Sequence, residues 1–207
     1  MSAAKALLTL LSIKGFGKAD ILAESLGLPE PEIEAALAQL IAEGLADATR
    51  VGSRLSATGK AKAAAALEQR RTGIDQHLLE TEYERFLPLN TEFKKLVTDW
   101  QMRVVDGKQL RNDHSDKGYD EAVLAHLPAL HQATIDLIED IAAHVPSIAD
   151  YRRRLNSALA RFDAGDQRYF TAPDRDSYHT VWFEFHQEMI GLLGTTRAKE
   201  AAADRAV

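Results

Sequence analysis

The sequence predicts a mainly α chain in which three helices and a short β-hairpin precede a C-terminal helical bundle. Three observations predict it. In residues 31–43, Ile33, Ala36, Leu37, Leu40 and Ile41 recur at i, i+3, i+4, i+7 and i+8, the spacing of one helix face. Just beyond them, Val51-Gly52-Ser53 reads as a tight turn between two short extended runs. From residue 76 onward the apolar residues keep helical spacing and no strand-like alternation is read, so a bundle is expected.

Taken in order, residues 4–13 read as a first helix carrying Leu7, Leu8, Leu11 and Ile13, broken by Gly15-Phe16-Gly17. Residues 18–26 make a short second helix, with Gly27 as a left-handed C-cap. Leu28-Pro29-Glu30 turns into the third helix, which Gly44 closes. Strands are expected over residues 45–50 and 54–57, and an alanine-rich helix over 61–71. Helix, helix, turn, helix, hairpin, helix is the order of a winged helix. A polar stretch over residues 69–76 then serves as a linker. Four helical stretches follow, over residues 77–104 (interrupted at Pro88), 119–144 (bent at Pro128), 148–164 and 177–193. The expected domains are therefore a winged helix over residues 1–72, a helical effector and dimerisation domain over 76–195, and a flexible tail over 196–207.

The stretch LAESLGLPEPEIEAALAQLIAEGLAD, followed by RLSATGKAKAAAAL, resembles the DNA-binding segment of MarR-type and PadR-type transcriptional regulators. In those families a Gly-Leu pair ends the recognition helix, and a Leu-Thr-x-x-Gly-like stretch follows the wing. Gly44-Leu45 and Leu55-Ser56-Ala57-Thr58-Gly59-Lys60 match that pattern, over about a third of the chain. The resemblance implies a one-component regulator that binds double-stranded DNA, as a homodimer whose C-terminal domain takes a small-molecule effector. It also implies that the third helix enters the major groove, where Glu32 and Gln39 would face base edges. Lys14, Lys18, Arg50, Arg54, Lys60 and Lys62 would hold the flanking phosphates.

Charge leaves an alternative open. The 207 residues carry a net charge of −6, and the surplus is uneven. Residues 1–72 hold nine Lys/Arg against eight Asp/Glu, so the acidity sits in the C-terminal part. The third helix is itself acidic outward, with Glu30, Glu32, Glu34 and Glu43, and carboxylates repel phosphates. The alternative is a ligand-binding or adaptor protein whose winged helix no longer reads DNA.

Two groupings in the C-terminal part draw notice. Asn112-Asp113-His114-Ser115-Asp116 is either a capped turn, with Asp116 as helix cap, or a ligand loop. His179, Trp182, His186, Met189 and Leu193 fall on one helical stripe, which reads either as core or as the lining of an effector pocket. Trp100, His114, His179, Trp182, His186 and Met189 are the effector-binding candidates.

Winged helix plus bundle also resembles one GntR subfamily, whose effector domains hold a metal through Asp and His on helices. Among Asp120, His126, His131, His179 and His186, no pair has the i, i+4 spacing of a helical zinc site. No metal or cofactor is expected. P-loop, GxSxG, GxGxxG and HExxH motifs are all missing from the sequence, so catalysis is not expected. Without cysteine, and with an N-terminal apolar run too short to span a bilayer, the chain reads as cytoplasmic and not membrane-bound.

Overall fold

The computed structural model describes residues 2–196 and Glu200. The chain is mainly helical with a small sheet, and it divides into two compact units. The first combines residues 1–74 with residues 154–196, and the second contains residues 75–153. Spacing along the sequence groups residues 76–195 together, whereas the packing groups the last helices with the N-terminal module.

In the first unit, α1 (Ala3–Lys14) starts at Ser2, whose hydroxyl accepts from the Lys5 amide. Then come β1 (Phe16–Gly17), α2 (Ala19–Leu26) and α3 (Glu30–Ala42). Gly27 caps α2 in the left-handed conformation, as expected. Leu7, Leu11, Leu22, Ile33, Leu37, Leu40, Leu45 and Leu55 are buried in one cluster. Ile41, placed on the apolar face by spacing, is instead exposed.

β2 (Ala46–Thr49) and β3 (Gly52–Leu55) pair antiparallel, and β1 adds to β3 through Phe16↔Arg54 and Gly17↔Ser53. The strand order is β1-β3-β2. Gly52 has a φ of +138°, and a Cβ there would strike the Gly17 carbonyl, so glycine lets the hairpin lie against β1. α4 (Ala57–Arg71) starts earlier than the sequence suggests, because the Ser56 hydroxyl accepts from the Gly59 amide and donates to the Gly44 carbonyl.

The second unit opens with α5 (Gln76–Gln101), which runs unbroken through Pro88. It packs on α7 (Leu127–Ala142), which follows α6 (Lys117–Leu124). Pro128 sits in the first turn of α7, where its missing N–H costs nothing, so the expected single bent helix is two helices. A 3-10 turn (Pro146–Ala149) leads into α8 (Asp150–Asp163), within which the chain passes into the first unit. There α9 (Arg168–Thr171) and α10 (Tyr178–Leu193) complete the fold.

A further expectation is corrected. β4 (Met102–Val105) and β5 (Lys108–Arg111) form an antiparallel hairpin where the sequence pattern predicts a helix end and a loop. Asp106 and Gly107, at φ of 52° and 75°, form its two-residue turn. Asp-Gly is a residue pair that such a turn selects.

Candidate nucleic-acid interface

The outward residues of α3 include Glu32 and Gln39, seven apart on one face and both exposed. Gln39 Nε2 donates to Glu43 Oε1 at 2.9 Å, which fixes its amide along the helix surface. Glu30 and Glu32 lie in the first turn, where the positive end of the helix dipole favours them.

Around α3 lie the cations. Arg50 stands exposed in the β2–β3 turn. Thr49 braces that turn, its hydroxyl donating to the Gly52 carbonyl and accepting from the Val51 amide. Arg54 faces Asp47 across the ladder, with Nε 3.9 Å from Oδ2 and both side chains exposed. Lys60 and Lys62 are exposed near the start of α4, and Lys62 lies 4.0 Å from Glu43. Lys18 is exposed at the N-cap of α2. Contacts this long between exposed groups are weak, so these cations are available to phosphate.

Lys14 is not on this surface. Its side chain is 6% exposed, and Nζ lies 3.0 Å from Asp176 and 2.6 Å from Glu184. Arg154 joins the same two carboxylates, at 2.5–2.8 Å, and Ser25 donates to Asp176 at 2.8 Å. Two buried cations thus meet two buried carboxylates. Burial opposes the charge on Asp176. The Arg154 hydrogen bonds and charge, the Lys14 charge and the Ser25 hydroxyl outweigh it and hold the carboxyl well below the usual range. A lysine ending a helix reads locally as a phosphate contact. Its real partners are more than 160 residues away.

No family model, curated protein or solved structure matches this chain. The geometry of its own residues therefore carries the functional argument.

The six effector candidates fall into different units. Trp182, His186 and Met189 are fully buried, so this part of the stripe is core. His179 is partly buried, and burial pushes its imidazole below the ordinary value. Another face of α10 borders a cleft: Thr180, Phe183 and Glu184 line a space of about 660 Å³ shared with β1, α2 and the β2–β3 turn. Sequence reasoning passes over Phe16, Val51 and Phe183, which are exposed there. An aromatic residue between two glycines is the available signal at Phe16.

In the second unit, Trp100 and His114 come together, with ring centroids 4.2 Å apart. His114, at φ of 59°, has Nδ1 3.2 Å from both oxygens of the buried Asp120. Asn112 Nδ2 donates to Asp120 and to the Trp100 carbonyl. Asp116 caps α6, its carboxylate accepting from the Tyr119 amide. Among the described residues, no group of three or more His, Asp or Glu is placed to hold a metal ion. Nor is any described helix long and apolar enough to cross a membrane.

Proposed function

We propose that this chain is a cytoplasmic DNA-binding transcriptional regulator whose first unit presents a winged helix-turn-helix. The observation that carries the reading is the order α1-β1-α2-α3-β2-β3 with the antiparallel sheet β1-β3-β2. In this arrangement the outward residues of α3 and the hairpin turn at Arg50 and Val51 are exposed among the described residues.

The chemistry divides between them. Lys18, Arg50, Arg54, Lys60 and Lys62 take phosphates and supply the salt-dependent affinity. On α3, Gln39 pairs with adenine and Glu32 accepts from the cytosine amino group. A carboxylate so placed repels phosphate, so the wing and α4 bear more of the binding than the helix does. A homodimer would set two such modules on half-sites one helical turn apart.

The exposed Glu30, Glu32, Glu34 and Glu43 favour a second reading, an adaptor that docks a basic protein on α3. Selection of fragments from a random double-stranded DNA pool by the purified chain decides between them. Enrichment of one site supports the regulator. No retained fragment at low salt supports the adaptor.

A further inference from the structure

We propose that the cleft in the first unit is the effector site, that it takes an uncharged aromatic molecule, and that its occupant acts on the wing. The regulatory half of this proposal rests on the DNA-binding reading above.

At about 660 Å³, the cleft has the size of a small-molecule site. Its walls hold three large apolar side chains that remain wet in the free chain: Phe16 at 58%, Val51 at 54% and Phe183 at 38% exposure. Each comes from a different element: β1, the β2–β3 turn and α10. A flat apolar body between them would bury all three surfaces at once.

The charges of the lining exclude a net charge on that body. Lys14 and Glu184 belong to the buried cluster, where Arg154 and Asp176 complete a balanced set. Arg175 is held by Asp174 at 3.2 Å, and Glu24 by Arg161 at 3.0 Å. The Arg161 and Arg175 guanidiniums already lie over the Tyr169 ring, 4.7 and 5.3 Å from its centroid, so a ligand cation finds that face taken. Lys18 and Asp20, of opposite sign, remain at the mouth. Deep in the cleft a charged ligand would have to draw Lys14 or Glu184 from the buried cluster, and breaking a buried pair is costly, while the exposed Lys18 and Asp20 offset each other and favour neither sign.

The route to DNA is short. Val51 is next in sequence to Arg50, and Phe16 pairs with Arg54 across the sheet. A molecule packed on Val51 and Phe16 therefore biases the strand and turn that carry both arginines. It shifts DNA affinity only by as much as it prefers one wing position over another.

The test uses the full chain and two fluorescent probes, uncharged N-phenyl-1-naphthylamine and anionic 1-anilinonaphthalene-8-sulfonate. The proposal expects saturable binding of the neutral probe, weakened about tenfold to a hundredfold by Phe183→Ala and by Val51→Ser. Both substitutions are at exposed positions, and circular dichroism checks that the variants fold. It also expects weaker binding of the sulfonate, and a neutral probe that moves the half-saturation point of DNA binding in the wild type but not in Phe183→Ala.

Absence of saturable binding, or binding that both substitutions leave unchanged, overturns the site. Equal affinity for the sulfonate overturns the ligand class. DNA binding that ignores a bound probe overturns the regulation. A probe that binds as expected to a chain that retains no DNA leaves the ligand site supported and refutes the DNA-binding reading instead.

Discussion

The Lys14–Arg154–Asp176–Glu184 cluster of the first unit and the Trp100–Asn112–His114–Asp120 cluster of the second bury comparable chemistry over very different spans of chain. The first joins α1 to α8, α10 and the segment before α10, across up to 170 residues. It opposes two buried cations to two buried carboxylates. The second lies within 21 consecutive residues, where one carboxylate is shared by an amide and a partly exposed imidazole. A long-range balanced cluster defines which segments belong together. A local one shapes a single connection, here the exit from the β4–β5 hairpin into α6.

Arg154→Ala tests that difference at its greatest. It removes one of the two buried cations that face the two buried carboxylates and should cost about 3–5 kcal/mol in urea unfolding. A loss below about 1 kcal/mol, the size of an ordinary surface pair, would mean that the cluster does not hold residues 154–196 in place.

Asp120→Ala should cost less, about 1–3 kcal/mol. Asn112 Nδ2 keeps the Trp100 carbonyl, and His114 can reach water. Because the Trp100 ring lies 4.2 Å from that of His114, centroid to centroid, its fluorescence should also change. A loss as large as that of Arg154→Ala would erase the distinction between the clusters.

Acid sharpens the comparison further. The folded-state pKa of Asp176 lies below its unfolded value, so it contributes stability that is fully present above the ordinary carboxylate pKa of about 3.9. That contribution is lost as pH falls from there toward the folded value. His179, depressed by burial, acts the same way at higher pH, favouring the fold above about 6.5 and losing that contribution on acidification. Asp176→Asn should flatten the acid limb of stability below about pH 4 while leaving the histidine limb. An unchanged acid limb would remove Asp176 from the account.

At the small end, Arg50→Ala with Arg54→Ala should alter folding stability by no more than about 0.5 kcal/mol, since both side chains are exposed. Lys14→Met should behave oppositely, lowering stability while leaving the proposed DNA affinity of the folded chain unchanged.

How far the sequence can be read follows the same division between local and distant. α3 is legible because Ile33, Ala36, Leu37 and Leu40 repeat with the helix and are all buried. The cap at Gly27 and the role of Asp116 depend on near neighbours, and both are legible. The β4–β5 hairpin is equally local, but its Asp106-Gly107 turn lies at the end of a long helical pattern that masks it. Lys14 is misplaced for the opposite reason, since nothing near it announces Asp176 or Glu184. The α10 stripe is visible as a stripe, but periodicity cannot say which face of a helix meets solvent. Trp182 and Met189 face inward, and Phe183, off the stripe, lines the cleft.

Binding of duplex DNA as a function of salt tests the central claim most directly, comparing the wild type with the Arg50→Ala, Arg54→Ala double variant. The account expects affinity to fall steeply with salt in the wild type. In the variant, the slope of log affinity against log salt should drop by about 1.8, roughly 0.9 for each phosphate that the two arginines no longer neutralise. Equal slopes, or no binding by the wild type even at low salt, would contradict it.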